Sequence, residues 1–185
     1  MTLPDRTSWQ LDNSTGELLV HTTVVGRAAR MGHRLTIAVR SWQATVTWEG
    51  DQPAALDLTC DVPSLQVLRG EGGATPLTAR DKATVQTNAM NSFDPKRFPA
   101  VSFRSGAIEP VEGGYRIAGA LTIRDRTADH VITLGVEDRG ASWRLSGQTE
   151  VLQTQFGITP YSTLMGAMKV GDTVKVSFAA DVEKV

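Results

Sequence analysis

Cysteine is almost absent: Cys60 is the single one in 185 residues, so no internal disulfide framework holds the chain together. Long apolar runs are missing too, and no window approaches the ~18 consecutive apolar residues of a membrane-spanning helix. The opening segment MTLPDRTSWQLD lacks the apolar stretch of a secretory signal. The expected compartment is therefore the cytoplasm, provided the numbering starts at the natural start codon. Charge of one sign is not in excess, because 19 basic and 20 acidic side chains leave a net charge of −1. No run of like charge marks a nucleic-acid footprint or a polybasic membrane patch. GxSxG, CxxC and HExxH are all missing. The Gly-rich Arg69-Gly70-Glu71-Gly72-Gly73 lacks the Gly-Lys-Ser/Thr ending of a phosphate loop and reads as a flexible loop. The three histidines, His21, His33 and His130, fall on different elements with no metal spacing. These absences give no positive case for an enzyme, a metal centre or a nucleic-acid partner.

What is present is alternation. Leu35, Ile37 and Val39 alternate with polar or small neighbours, as do Leu56, Leu58, Cys60 and Val62. The same holds for Val101 and Phe103, for Tyr115 through Ile123, for Ile132, Leu134 and Val136, for Trp143 through Val151, and for Val174 through Val182. With Glu17 to Val25 at the front, this makes eight candidate strands, each with one apolar face. That is the pattern of half-buried antiparallel sheet. From Arg34 to Trp48 the chain reads as one strand of about fifteen residues, long beside a mode near 5–6. Its apolar phase switches from Leu35, Ile37, Val39 to Trp42, Ala44, Val46, Trp48, so a bulge or bend is expected near Ser41. Closure of a barrel demands such bending, and an eight-stranded barrel is either just filled by side chains or holds one small ligand. Helix is sparse. Thr78 and Asp81 form a capping-box pattern for a helix to about Asn88, and Arg27 to His33 fits one further turn.

The connection from Gln153 to Asp172, QTQFGITPYSTLMGAMKVGD, is longer and more apolar than ordinary hairpin loops of roughly 2–5 residues. Thr159-Pro160 reads as an N-cap followed by proline at the first helical position, giving a short helix to about Lys169. The element is expected to act as a flap that crosses or plugs one end of the β structure.

Several pieces of the sequence stand in a recognisable order. They are Gly32-His33-Arg34-Leu35, then Arg80-Asp81-Lys82, then Phe93-Asp94 through Phe98-Pro99-Ala100-Val101-Ser102-Phe103. Gly119-Ala120-Leu121-Thr122-Ile123-Arg124 running into Thr127 follows, and Phe156-Gly157-Ile158 to Val170 completes the set. With these the chain resembles the YceI-like family of polyisoprenoid-binding proteins from about Trp9 to Glu183. The resemblance implies an extended lipocalin-like eight-stranded antiparallel barrel with a helix at one side. It also implies an elongated apolar pocket for isoprenoids or similar long-chain lipids, and frequently a homodimer.

The expected function is a soluble binding or carrier protein, in one domain spanning residues 1–185. No cofactor is expected beyond a bound isoprenoid or fatty-acyl lipid, and no stable membrane insertion. Candidate ligand-binding residues on the strands are Leu35, Ile37, Val39, Leu58, Phe103, Leu121, Leu134 and Leu145. From the flap come Phe156, Ile158, Tyr161, Leu164, Met165 and Met168. Methionine adapts to irregular apolar shapes, and tyrosine joins an apolar ring to a polar tip. His33, with Arg34 and Tyr161, is a candidate for head-group recognition. Two rivals remain open: a small enzyme using His33 on an amphiphile, and a filled barrel with a structural or oligomeric role.

Overall fold

The structure is a computed structural model that describes residues 8–184. Most of the segment read for a secretory signal, and the extreme ends of the domain drawn over 1–185, lie outside the described residues. The elements follow the alternation read from the sequence. They are β1 Ser8–Asp12, β2 Gly16–His21, β3 Val24–Val25, β4 His33–Val39, β5 Trp42–Glu49, β6 Gln52–Asp61 and β7 Leu65–Gly72. After α1, Ala79–Phe93, come β8 Ala100–Val111, β9 Gly114–Ile123, β10 Arg126–Asp138, β11 Ser142–Leu152, β12 Ser162–Thr163, β13 Met168–Val170 and β14 Thr173–Glu183.

Eleven strands form one antiparallel sheet in the order β1-β5-β6-β8-β9-β10-β11-β14-β2-β4-β7. The two ends of that order meet through the chain itself. β1 runs into β2 through a tight turn, β4 into β5 through Arg40-Ser41, and β6 into β7 through the 3-10 turn Val62–Ser64. Three long bent strands thus contribute one half to each end of the order, and the sheet curls round as a lipocalin-like barrel. The tally is larger than the eight expected because the bend near Ser41 splits one of those strands, β1 and β7 add strands that were not expected, and the flap adds a small sheet, β12-β13-β3.

The expected bend near Ser41 is present, and a neighbouring bend clamps it. Arg40 N–H donates to the Ser64 carbonyl at 3.2 Å, Ser41 N–H to Ser64 Oγ at 2.9 Å, and Asp61 N–H to the Ser41 carbonyl at 2.9 Å. Two adjacent strands therefore kink together, which lets the apolar phase switch without turning either face outward.

Helix α1 begins where expected: Thr78 and Asp81 form the reciprocal capping box. It runs past Asn88 to Phe93 and ends at Asp94 in a left-handed conformation (φ 50°). None of its side chains is fully buried, but Val85 packs against the cluster of Leu35, Ile37 and Val67.

Two expectations are corrected here. Residues 69–72 are not a flexible loop but the end of β7, paired with β4 from Thr36↔Arg69 to His33↔Gly72. A Cβ at Gly70 would come within 2.9 Å of Leu77 Cδ2 and 3.1 Å of His33 Cβ, so a larger residue there would push on both side chains. The helix drawn from Pro160 to Lys169 does not form. Leu164, Met165 and Gly166 take φ of 52°, 55° and 85°, left-handed values that no α-helix contains. The segment instead folds back as a β12–β13 hairpin, closed by Val170 N–H donating to the Tyr161 carbonyl at 2.9 Å and paired on to β3.

Candidate functional site

The inner face of the curled sheet carries two packed clusters. One gathers Leu11, Leu18, Val39, Trp42, Ala44, Cys60, Leu145 and Ala180. The other gathers Phe103, Ile117, Leu121, Ile123 and Val151 with the flap residues Phe156 and Ile158. Phe156 and Ile158, 1% and 4% exposed, plug the end of the barrel where β11 gives way to β14. The flap is a plug at its start and a hairpin at its tip.

Between the two clusters the packing loosens. Leu56, Leu58, Val101, Leu134 and Val176 touch both clusters, and none of the five is fully buried. Strand β10 shows the same along its length: Ala128, His130, Ile132, Leu134 and Val136 are half-buried, and none of its 13 residues is fully buried. On β14, Val174, Val176 and Phe178 repeat it. A filled core seals such positions. Here a solvent molecule still reaches them, although they point inward among apolar neighbours. The splay between β6 and β8 contributes. Those strands pair over Asp57–Asp61 and Ala100–Arg104. Next along β8, a bulge at Ser105–Ala107 interrupts its register with β9, and the Ser105 hydroxyl accepts from Leu56 N–H at 2.8 Å.

Few polar groups face this space. His130 shares the inward parity of Ala128 and Ile132, and its Nε2 lies 2.8 Å from Thr149 Oγ1 on β11. Burial lowers the imidazole pKa below its ordinary value, so the ring is held neutral. Trp42, 4% exposed, meets Phe178 edge-on at 5.7 Å, and its indole Nε1 is buried without an acceptor. Together these supply neutral hydrogen-bonding groups in an apolar interior, with no buried charge among them.

The sequence-predicted residues divide accordingly. Leu58 and Leu134 line the loosened middle. Val39, Leu145, Phe103, Leu121, Phe156 and Ile158 belong to the packed clusters on either side. Leu35 and Ile37 lie under α1 with Val67. His33 is not inside: its Nε2–H donates to the Thr75 carbonyl at 2.7 Å, tying down the loop after β7. Arg34, on the exposed face of β4, is 4.0 Å from Glu71. Met168 packs against Gly32 and Val24 in the small sheet. Tyr161, Leu164 and Met165 are 46%, 50% and 103% exposed: the left-handed turn carries them away from the plug and out to the tip. His130, Ile132, Val176 and Phe178 were missed. His130 was findable, since it continues the even-numbered alternation of Ile132, Leu134 and Val136.

Among the described residues no group of three or more His, Cys, Asp or Glu could hold a metal ion, and no helix is long and apolar enough to cross a membrane. His21 is on the outer face, 2.8 Å from Ser177 Oγ. Two shallow clefts lie on the surface. One, about 310 Å³, lies outside the barrel by Glu17, Ser146 and Ser177; the other, about 400 Å³, lies by Val24, Arg30, Gly32 and Arg34.

Comparison with known proteins agrees with this fold. A family model described as YceI-like domain matches residues 9–182. The structure of BcnA from Burkholderia cenocepacia superposes with a TM-score of 0.69 at 18% identity, covering 93% of this chain and 99% of that one. A YCEI protein from Campylobacter jejuni gives a TM-score of 0.59 at 13% identity over 80% of this chain and 84% of that one. At these identities the likeness is one of fold. No curated protein matches the sequence.

Proposed function

The chain belongs to the YceI-like domain family, and on that premise we propose that it binds a long-chain isoprenoid or related amphiphilic lipid along the inner face of its sheet. The reading rests on one observation: the five apolar residues joining the two clusters are all left half-buried. A guest chain laid between the clusters would remove that surface from water. At ~0.8 kcal/mol per methylene, one five-carbon isoprene unit contributes about 4 kcal/mol before losses. Ordering the chain and losing its translation offset much of this. Two or three buried units still reach micromolar affinity, about 8 kcal/mol.

Leucine, isoleucine and valine read the width of a guest and hardly separate prenyl from acyl chains. Orientation falls to the polar groups, and the pair His130–Thr149 together with Trp42 Nε1 suit a hydroxyl or carbonyl better than an anion, because none carries charge. The rival enzyme reading relied on His33 as acid or base. Its engagement with the Thr75 carbonyl, away from the apolar channel, argues against that use. Binding without chemistry is the better account.

The test is native mass spectrometry of the protein isolated without detergent, followed by organic extraction. Co-purified or added prenyl or acyl lipid bound at one per chain supports the reading. Repeated absence of any bound lipid, with no uptake on addition, overturns it in favour of a filled barrel.

A further inference from the structure

The connections 22–32 and 153–172 cross the same end of the barrel, because the strands they join, β2, β4, β11 and β14, are neighbours in the sheet. They also form one piece. Lys169 pairs with Val25, Ala28 N–H donates to the Ala167 carbonyl at 2.8 Å, and Met168 packs on Gly32. This piece exposes five large apolar side chains: Val25, Met31, Tyr161, Leu164 and Met165. Met165 is fully exposed at the tip, held there by two successive non-glycine residues at φ 52° and 55°. Such backbone is strained and ordinarily avoided, so the tip is built to project.

Its charge leans one way. Residues 22–32 and 153–172 contain Arg27, Arg30 and Lys169 against one carboxylate, Asp172. That acid is engaged, since Asp172 accepts from the Thr154 N–H and hydroxyl; Arg34, at the start of β4, is paired with Glu71 and is not counted in the patch. The sequence shows no polybasic run, but folding brings two separated stretches together into one cationic rim round an apolar tip.

We propose that the β12–β13 hairpin and the adjoining turn at Ala29–Met31 dock this protein on an anionic lipid bilayer. Apolar side chains at a projecting tip enter the acyl boundary while flanking cations meet the headgroups. A second copy of this chain is a poorer occupant. A two-fold interface places the same patch on itself and sets Arg27, Arg30 and Lys169 against their own images. The docked end is the plugged end, so contact with the bilayer bears on the segment that carries Phe156 and Ile158. That use in lipid exchange rests on the carrier reading above; the docking itself does not.

Vesicle flotation of the full chain tests the proposal, with phosphatidylcholine alone and with phosphatidylcholine–phosphatidylglycerol mixtures. The protein is expected to float with the mixed vesicles and to be released by salt. The double variant Leu164→Ser/Met165→Ser should lose at least about tenfold in binding. Arg27→Gln/Arg30→Gln should lose about tenfold or more on mixed vesicles, given about fivefold per cation near an anionic surface, and much less on neutral ones. All four positions are exposed, so circular dichroism should show unchanged folding. Native mass spectrometry without vesicles should show unchanged lipid uptake. Failure of the parent to float with mixed vesicles, or flotation of the tip variant equal to the parent's, overturns the docking while leaving lipid binding intact. A tip variant that alters oligomer mass, with no vesicle binding by the parent, makes the occupant a second copy and also overturns it. Docking without any bound lipid sinks the carrier reading instead.

Discussion

Gln86 of α1 takes the place of a missing strand beside Val67: its Oε1 accepts the Val67 N–H at 2.8 Å, and its side-chain amide donates to the Leu65 carbonyl. Lys82 Nζ adds a bond to the Leu68 carbonyl at 3.0 Å. β7 ends the sheet order, so these backbone groups have no strand to pair with, and the helix supplies side chains instead. Val67 is 7% exposed, so its N–H has little water to fall back on. Gln86→Ala should therefore destabilise the fold by about 1–3 kcal/mol, the penalty of an unpaired buried donor. Gln86→Glu keeps the acceptor and loses the donor, and should fall between. Urea midpoints at constant slope decide it; a Gln86→Ala midpoint equal to the parent's would mean that the helix does not seal this edge.

How far the sequence carries depends on the range of the interactions involved. The alternation of Leu35, Ile37, Val39 and of Ile132, Leu134, Val136 gives the inner face directly, because parity is a local property of a strand. The bend near Ser41 is legible for the same reason. What escapes are features that depend on a distant partner. Arg69 to Gly72 reads as loop because nothing local announces that β4 will pair with it. The run from Pro160 to Lys169 carries helix-start chemistry, yet pairing with Val24 and Val25, far away in the chain, overrides it. The cationic rim escapes likewise, since Arg27, Arg30 and Lys169 become neighbours only through that pairing.

His130 gives a stability dependence on pH whose sign is fixed. Its folded pKa is lowered from the ordinary 6.5 by burial, so the unfolded chain binds the proton more readily. The contribution is fully present above the unfolded value and is lost as pH falls below about 6.5 towards the folded one. Asp12, Asp81, Asp138 and Asp172, lowered from 3.8 by hydrogen bonds to their charged forms, act in a separate and more acidic window. Thermal midpoints of the parent and His130→Gln from pH 5 to 8 separate the two, near the histidine range and away from the carboxylates. The difference between the two proteins should grow in favour of the variant as pH drops. A constant difference would mean that His130 titrates as it does in the unfolded chain.

Cys60 reports on opening of the sheet. Its thiol is 8% exposed and burial pushes its pKa up to about 12. The nucleophile is the thiolate, so native protein should react with disulfide reagents orders of magnitude more slowly than an unfolded thiol with pKa about 8.5. Labelling should follow the urea transition. Rapid modification at neutral pH without denaturant would show that β5 and β6 part readily around Trp42 and Cys60, which are register partners.

Two tryptophan substitutions distinguish the channel from the tip. Leu134 touches both clusters and is half-buried, so Leu134→Trp should occupy the space between them. In an open interior the larger ring is accommodated with little loss of stability while lipid uptake falls steeply. In a filled interior the same change overpacks, destabilises by about 1–3 kcal/mol and finds no uptake to abolish. Met165→Trp makes the opposite comparison. At 103% exposure it has nothing to clash with, so stability should stay within about 0.5 kcal/mol and uptake from solution should be unchanged. Its indole then marks the tip: emission should shift to the blue on anionic vesicles if that hairpin enters the bilayer. Loss of uptake in Met165→Trp would place the hairpin back over the channel, as a lid rather than an anchor.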